Sequence, residues 1–551
     1  MLVNYNIAFA HFGPNGPERA LFLSNSARFT DKGSRFAQDS ARSGIFINSD
    51  YENETKHHWT LLIYETIMKY IRRPAENRGE GEWIVRDKAK ETRIFAESPV
   101  LRAVLALAIP TVISQIILVV YNMADTFFIG LSGSDAMITS ITVCMPAFMF
   151  LSAISNLFGV GGASVIARAL GSNDPKRARA TASFAFWGCV GLTAAYSLGA
   201  LLLIHPFVNA LGGSNAQVHV DACRYLRWTV VTGGLATSLN ALLGHLVRSE
   251  GRSVTAGFGI ALGGVLNIGL DPLFMYVILK PGNEVAGAAI ATFLSNLTAT
   301  LFFLAMIWKN RKKSVISLRP DARALRDGIP ADVLATGLPA CLMTLCENIS
   351  YAVLDNLMAT FGMVMQAGIG VAKKVNMLAH CMVRGMAQGV LPLIGYNYAA
   401  RNYRRMKHAV LISTLISVGL ATACMALSLV LSRSLIGVFI QHDSPSVDYG
   451  ASFLRILCIG GPFSACAYAF ISFFQATGQS LKSFMLAIMR KGVLDIPLMF
   501  ILLRPLPVYG IVWATPMADI ACCCAAVVLF LQFMRHLERR SCVAVPAPQA
   551  S

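Results

Sequence analysis

The chain has 551 residues, of which 55% are hydrophobic and only 14% charged, with a mean hydropathy of +0.55. A soluble domain carries about a quarter charged residues, so this composition excludes a water-facing fold and puts most of the chain against lipid or other helices. The net charge of +17 would suit a nucleic-acid binder, but the basic residues fall in loops between apolar runs, as they do in membrane proteins, and no nucleic-acid partner is expected.

Residues 1–98 differ in kind from the rest. They are polar and mixed in charge, with Asn53-Glu54-Thr55-Lys56-His57-His58 and Arg78-Gly79-Glu80-Gly81-Glu82. The stretch from Trp59 to Ile71 is shorter than the roughly twenty residues a span needs. No basic n-region leads into an apolar core and a small-residue cleavage site. The segment is expected to be a poorly ordered cytoplasmic extension with a short amphipathic helix near 59–72, and Met68 is a candidate for the true start.

Apolar runs follow near 103–126, 136–160, 180–204, 222–247, 254–278, 285–308, 333–360, 366–394, 408–432, 449–474, 482–503 and 508–533. Each is about twenty residues or more, enough to cross a hydrocarbon layer of about 30 Å. Loops after even-numbered runs hold about twenty-one Lys and Arg, including Arg168, Lys176, Arg177, Arg179, Lys309, Arg311, Lys312, Lys313, Arg401, Arg404, Arg405 and Arg540; the others hold about five at most, such as Lys280, Arg433 and Arg504. The asymmetry predicts a multi-pass protein with both termini cytoplasmic. Most of the thirteen cysteines lie in apolar runs. Cys522-Cys523-Cys524 fans around a helix at about 100° per residue, so small core hydrophobes fit better than metal ligands.

The runs repeat. Leu107-Ala-Ile-Pro110-Thr is answered by Thr336-Gly-Leu-Pro339-Ala, Arg248-Ser-Glu-Gly251-Arg-Ser253 by Gln475-Ala-Thr-Gly478-Gln-Ser480, and Gly264-Val-Leu-Asn267-Ile268 by Gly492-Val-Leu-Asp495-Ile496. Six spans per half is an even number, so the halves enter the membrane in the same direction, as a parallel repeat about an axis along the membrane normal. The expected fold is all-α and integral to the membrane: twelve transmembrane helices in two six-helix lobes around a central cleft. The lobes are 99–308 and 333–535, joined by a basic cytoplasmic linker 309–332 and followed by a tail 536–551.

Pro110, then Tyr121-Asn122-Met-Ala-Asp125-Thr-Phe-Phe-Ile-Gly130, belongs to the first span, and Gly263-Gly-Val-Leu-Asn267-Ile-Gly-Leu-Asp271-Pro272 to the fifth. With Arg248-Ser-Glu250-Gly251 and Gln388-Gly-Val-Leu-Pro392-Leu-Ile-Gly395-Tyr396-Asn397-Tyr398, they resemble the multidrug and toxic compound extrusion (MATE) family, in the prokaryotic branch with an aspartate in the first helix. The resemblance runs from about residue 99 to 535. It implies a bacterial cytoplasmic (inner) membrane antiporter that exports cationic or amphipathic drug-like compounds in exchange for H⁺ or Na⁺; a monomer with no cofactor is expected. It also implies an ion-coupling site at Tyr121, Asp125, Asn267, Asp271 and Thr292, with Na⁺ a candidate at Asp125, Asn267 and Asp271. One departure is that relatives often carry a fourth-helix asparagine that falls on Ala241 here, beside Asn240.

The residue types suit that role. An ionisable side chain inside a span is costly unless it faces protein or a watery cavity, and Asn267 and Asp271, four apart, share a helix face. Two carboxylates, an amide and a hydroxyl offer hard oxygen ligands for Na⁺. Burial and a like-charged neighbour also favour the neutral form of a carboxylate, so the same pocket can hold a proton. Plainer readings stand beside these: Asp125 at an interface, Asp271-Pro272 as a kink, Asn267 as a helix–helix hydrogen bond and Thr292 as a packing residue.

The second half carries Glu347, Asp355, Lys373, Lys374, Arg384, Arg490, Lys491, Asp495 and Asp519. Intramembrane Lys and Arg are rare and usually paired. A Glu347–Lys374 pair is one expectation. A substrate cleft of Glu347, Lys373, Lys374, Arg384 and the adaptable Met377 is the other. No phosphate-loop, H-E-x-x-H or G-x-S-x-G motif occurs, so neither ATP use nor hydrolase chemistry is expected and the chain is not read as an enzyme. Two rivals remain: a flippase of the same superfamily gripping a lipid pyrophosphate through Lys373, Lys374 and Arg384, and a membrane-embedded enzyme using Glu347 or His380.

Overall fold

The computed structural model describes residues 93–131, 135–210, 216–280, 282–439 and 445–543, all within the compact unit Trp83–Ser551. The predicted helix at 59–72 and Met68 lie outside the described residues. Helices dominate, because in a bilayer every backbone polar group must be satisfied inside its own segment.

The first half comprises α1 (Val100–Leu131), α2 (Asp135–Gly171), α3 (Pro175–Leu202), α4 (Ala216–Thr232 and Gly234–Ser249), α5 (Ser253–Pro272, continued by Leu273–Ile278) and α6 (Glu284–Lys309). The second comprises α7 (Ile329–Ala359), α8 (Met363–Ala399), α9 (Tyr403–Gly437), α10 (Pro445–Ile459 and Gly461–Ala476), α11 (Ser480–Ile488, Met489–Leu494 and Asp495–Leu503) and α12 (Pro507–Val543). Start signals are local. Asp174 accepts from the Arg177 amide at 2.9 Å ahead of Pro175, and Asn402 accepts from the Arg405 amide at 3.2 Å; both are N-caps that satisfy an orphan donor.

Among the described residues nine helices are long and apolar enough to span a membrane, and two bent pairs raise the number to eleven. The twelfth, α11, carries Lys482, Arg490, Lys491 and Asp495 within twenty-four residues, which lowers its hydropathy. The spans read near 222–247 and 449–474 are the bent pairs. They turn by 49° and 42° at Gly233 and Gly460 respectively. The duplication extends to the backbone. Each bent pair ends at a glycine with left-handed φ, +89° at Gly251 and +73° at Gly478, a conformation that favours glycine. Each fifth helix, α5 and α11, contains a π-turn, at Leu273–Ile278 and Met489–Leu494.

The halves pack against each other near the basic loops. Small residues make this approach possible: Gly161 lies against the Val333 carbonyl and Gly337 against the Leu157 carbonyl, so α2 and α7 touch backbone to backbone. Gly385 and Gly389 of α8 likewise meet Val112 and Ala108 of α1. Asn156 donates to Thr344 at 2.9 Å and Gln115 to Gln388 at 3.3 Å across the same seam. Arg168 reaches the carbonyls of Gln475 and Ala476, both at 3.3 Å.

Candidate functional site

A stripe on α5 builds the first site. Gly257, Gly264 and Asp271 are spaced by seven, so they share one helix face. A side chain at Gly257 would lie 2.6 Å from the Pro110 carbonyl oxygen, and one at Gly264 2.8 Å from the Ile117 side chain. Only glycine lets α5 sit this close to α1, and the close approach carries Asp271 to the part of α1 that bears Tyr121 and Asp125. Beyond Pro272, Tyr276 of the π-turn donates to the Phe128 carbonyl and ties the two helix ends together. Local π-turns of this kind are frequent at functional sites.

All five residues expected here come together. Asp125, Asn267, Asp271 and Thr292 are buried. Asn267 Nδ2 donates to Asp271 Oδ1 at 3.0 Å and reaches Thr292 Oγ1 at 3.5 Å. Tyr121, Asn122, Asp125, Met145, Phe148, Tyr225 and Thr292 line a cavity of about 10 Å³, room for about one water-sized particle. The charges of Asp125 and Asp271 act on each other and on Tyr121 and Tyr225. Among the described residues no cationic side chain pairs with either carboxylate, and Asp125 Oδ1, Asn267 Oδ1 and Asp271 Oδ2 are buried without a hydrogen-bond partner. Asp125 lines the cavity, and Asn267 and Asp271 join its wall through Thr292; three orphan oxygens in one buried cluster form a place that is incomplete without a cation.

Sequence reasoning missed Tyr225 and Phe148. Both are apolar-run residues whose entry into the pocket depends on how α2 and α4 pack, and nothing local marks them. Asn240, beside Ala241, donates to Asn296 at 2.9 Å and so belongs to the α4–α6 contact.

The second half is filled differently. The expected Glu347–Lys374 pair does not form: Glu347 takes Arg384 at 2.8 Å and accepts from Tyr468 at 3.5 Å, while Lys373 pairs with Asp355. The register of α8 against α7 selects these partners, and chain spacing does not encode it. Arg490 pairs with Asp519 at 2.7 Å, donates to Ser464 at 3.0 Å and lies 4.3 Å over the Tyr468 ring. Lys491 pairs with Asp495 at 2.8 Å, and Asp495 also accepts from Ser350 at 2.6 Å and Thr515 at 2.9 Å. Three cations, Arg384, Arg490 and Lys491, therefore meet three carboxylates, Glu347, Asp495 and Asp519. His380 is buried against Ser464 at 3.3 Å. Met377 is exposed, and Lys374 is half-buried with no carboxylate partner among the described residues.

Several known proteins are similar to this chain. The family model described as MatE matches residues 110–273 and 339–501, one copy per half. The multidrug export protein MepA of Staphylococcus aureus is 27% identical over 446 residues, 80% of this chain and 96% of that protein. MepA of Staphylococcus saprophyticus is 27% identical over 442 residues, with the same shares covered. Among solved structures, one described as the outward-facing conformation of a multidrug resistance MATE family transporter of the MOP superfamily superposes with a TM-score of 0.76 at 24% identity, over 82% of this chain and 99% of that one. A crystal structure of MATE in the straight conformation gives 0.75 at 24% identity, over the same shares.

Proposed function

The chain belongs to the MatE family, a family of multi-pass membrane transporters and not of enzymes, and we propose that it is a secondary exporter of cationic or amphipathic drug-like compounds, driven by a monovalent cation, H⁺ or Na⁺, that enters the first-half pocket. One observation carries this reading: two buried, interacting carboxylates, one lining a small cavity and the other joined to its wall through Asn267 and Thr292, have no counter-charge among the described residues, and three oxygens of the cluster are unpartnered. Asp125 and Asp271 would hold the cation, with Asn267 orienting Asp271 and the Thr292 and Tyr121 oxygens completing the set. Filling the pocket removes the cost of uncompensated buried charge and lets α1 and α5 repack at Pro110 and Pro272. A charge crossing the membrane potential contributes about 2.3 kcal/mol per 100 mV, enough for one ion to drive uphill export. The basic loops would face the cytoplasm, with both termini.

The flippase reading finds less support. Arg384 and Lys373 already hold carboxylates, so a pyrophosphate would have to compete with Glu347 and Asp355.

The test is efflux of a cationic dye from proteoliposomes under a pH gradient alone and under a Na⁺ gradient alone. Asp125→Asn and Asp271→Asn should each abolish gradient-driven efflux while inserting normally. Wild-type rates from both variants would remove these residues as the coupling site.

A further inference from the structure

At the other end of the first half lies a cluster that export does not use. α3 begins beside the basic loop at Arg177 and, at 28 residues, runs about 42 Å. The chain then forms a short helix, Ile204–Ala210, and α4 begins at Ala216. His205 stands on the short helix, and His219 and Cys223 are four apart on one face of α4. His205 Nδ1 lies 3.0 Å from His219 Nε2 and 3.8 Å from the Cys223 sulfur. The two rings stack with centroids 5.3 Å apart, and all three donor atoms fall within 4.8 Å of one another.

We propose that His205, His219 and Cys223 form a zinc site at the rim of the first half, away from the basic loops. The donor set is the argument. Zinc takes imidazole nitrogen and thiolate sulfur at about 2.0–2.1 and 2.3 Å, so tetrahedral geometry sets N–N and N–S edges of about 3.3 and 3.6 Å. The two separations from His205, 3.0 Å and 3.8 Å, are already near those edges, before any ion draws the donors in. Cys223 is a buried free thiol and His205 is exposed, so the site has a protected soft ligand and a path from water. The neighbouring Asp221 is held by Gln217 at 2.9 Å and by Arg224 at 3.6 Å. Three protein ligands leave the fourth position to water. On binding, the Cys223 thiol releases its proton to solvent and ligates as thiolate, and the ion clips the short helix to the first turns of α4. Tyr225, two residues beyond Cys223, lines the carboxylate pocket, so the clip braces an element of that pocket's wall.

The site does not depend on the export reading, and its test reads metal directly. Purified full-length protein, stripped with chelator and titrated with Zn²⁺, should bind one equivalent. His205→Ala, at an exposed position, should weaken binding at least tenfold, and Cys223→Ser likewise. Asp125→Asn should bind as wild type, which separates this site from the carboxylates. With Co²⁺ in place of zinc, a sulfur-to-cobalt charge-transfer band should appear and vanish in Cys223→Ser. No stoichiometric zinc, or affinity unchanged in His205→Ala, would reduce the cluster to a hydrogen bond between two imidazoles and overturn the proposal.

Discussion

Glu250 sits in the turn between α4 and α5, and one of its oxygens does three jobs. Oε1 accepts from Ser314 Oγ at 2.6 Å, from the Val315 amide at 2.6 Å and from the Ile316 amide at 3.1 Å, pinning the linker between the halves. Burial pushes its carboxyl above the ordinary value, against the pull of Ser314, Arg252 and the two amides. The folded state therefore holds this proton more tightly than the unfolded one does. The stabilising contribution is full below the ordinary carboxylate value and is lost as pH rises through the raised one. The melting midpoint of the detergent-purified protein should fall across that window, and Glu250→Gln, which cannot ionise, should flatten the fall. Identical slopes would exclude Glu250 as the source. Glu250→Ala should cost about 1–3 kcal/mol for each donor left stranded. From the sequence Glu250 reads only as part of the repeated Arg248-Ser-Glu-Gly251 segment. Its donors lie more than sixty residues away, and no local signal joins them. Asp125 and Asp271 are legible for the opposite reason: a charge inside an apolar run declares itself without knowledge of its neighbours.

The two fifth helices show what duplication keeps and what it changes. Asn267 of α5 and Asp495 of α11 occupy matching places in the repeat, each near a π-turn and each hydrogen-bonded to a residue four away. Four residues before Asn267 stands Gly263, whereas four before Asp495 stands Lys491. The second half thus carries a permanent ammonium, wholly buried against Asp495. The first half leaves its oxygens unpartnered. This contrast supports an exchangeable cation in one lobe and a fixed one in the other. Removing one member of a buried pair leaves an uncompensated charge, so Lys491→Met should destabilise the protein by about 3–5 kcal/mol. Adding Asp495→Asn, which restores the amide found at Asn267, should recover most of that loss. A double variant no more stable than the single one would mean that Lys491 acts through packing alone. The helices, the duplication and the turn glycines Gly251 and Gly478 could be read from local pattern. The partners of Glu347 and Lys373 could not, because helix register across α7 and α8 is a property of packing.

At the scale of the whole unit, the seam between halves lies at the end with the basic loops, while residues at the other end, such as Val277 and Val364, are exposed. Alternating access requires that this seam be breakable, and its chemistry suits that. The Gly161–Gly337 approach gives close contact without interlocking side chains, and the polar bridges Asn156–Thr344 and Gln115–Gln388 join neutral groups. A neutral hydrogen bond contributes about 0.5–1.5 kcal/mol net, so two of them bias the closed seam by about 1–3 kcal/mol. This is within the range of differential affinity by which a ligand shifts a two-state equilibrium. Salt bridges buried as deeply as Arg490–Asp519 would lock the seam instead. Asn156→Ala with Gln388→Ala should therefore shift the population toward the opposite-facing state by roughly 5- to 150-fold. Labels at Val277 and Val364, introduced as genetically encoded amino acids and read by double electron–electron resonance, should report a new, shorter distance as the far end closes. An unchanged distance distribution would show that these bridges do not set the balance, and would leave the backbone contact at Gly161 and Gly337 and the Arg168 contacts to the Gln475 and Ala476 carbonyls as the elements to perturb.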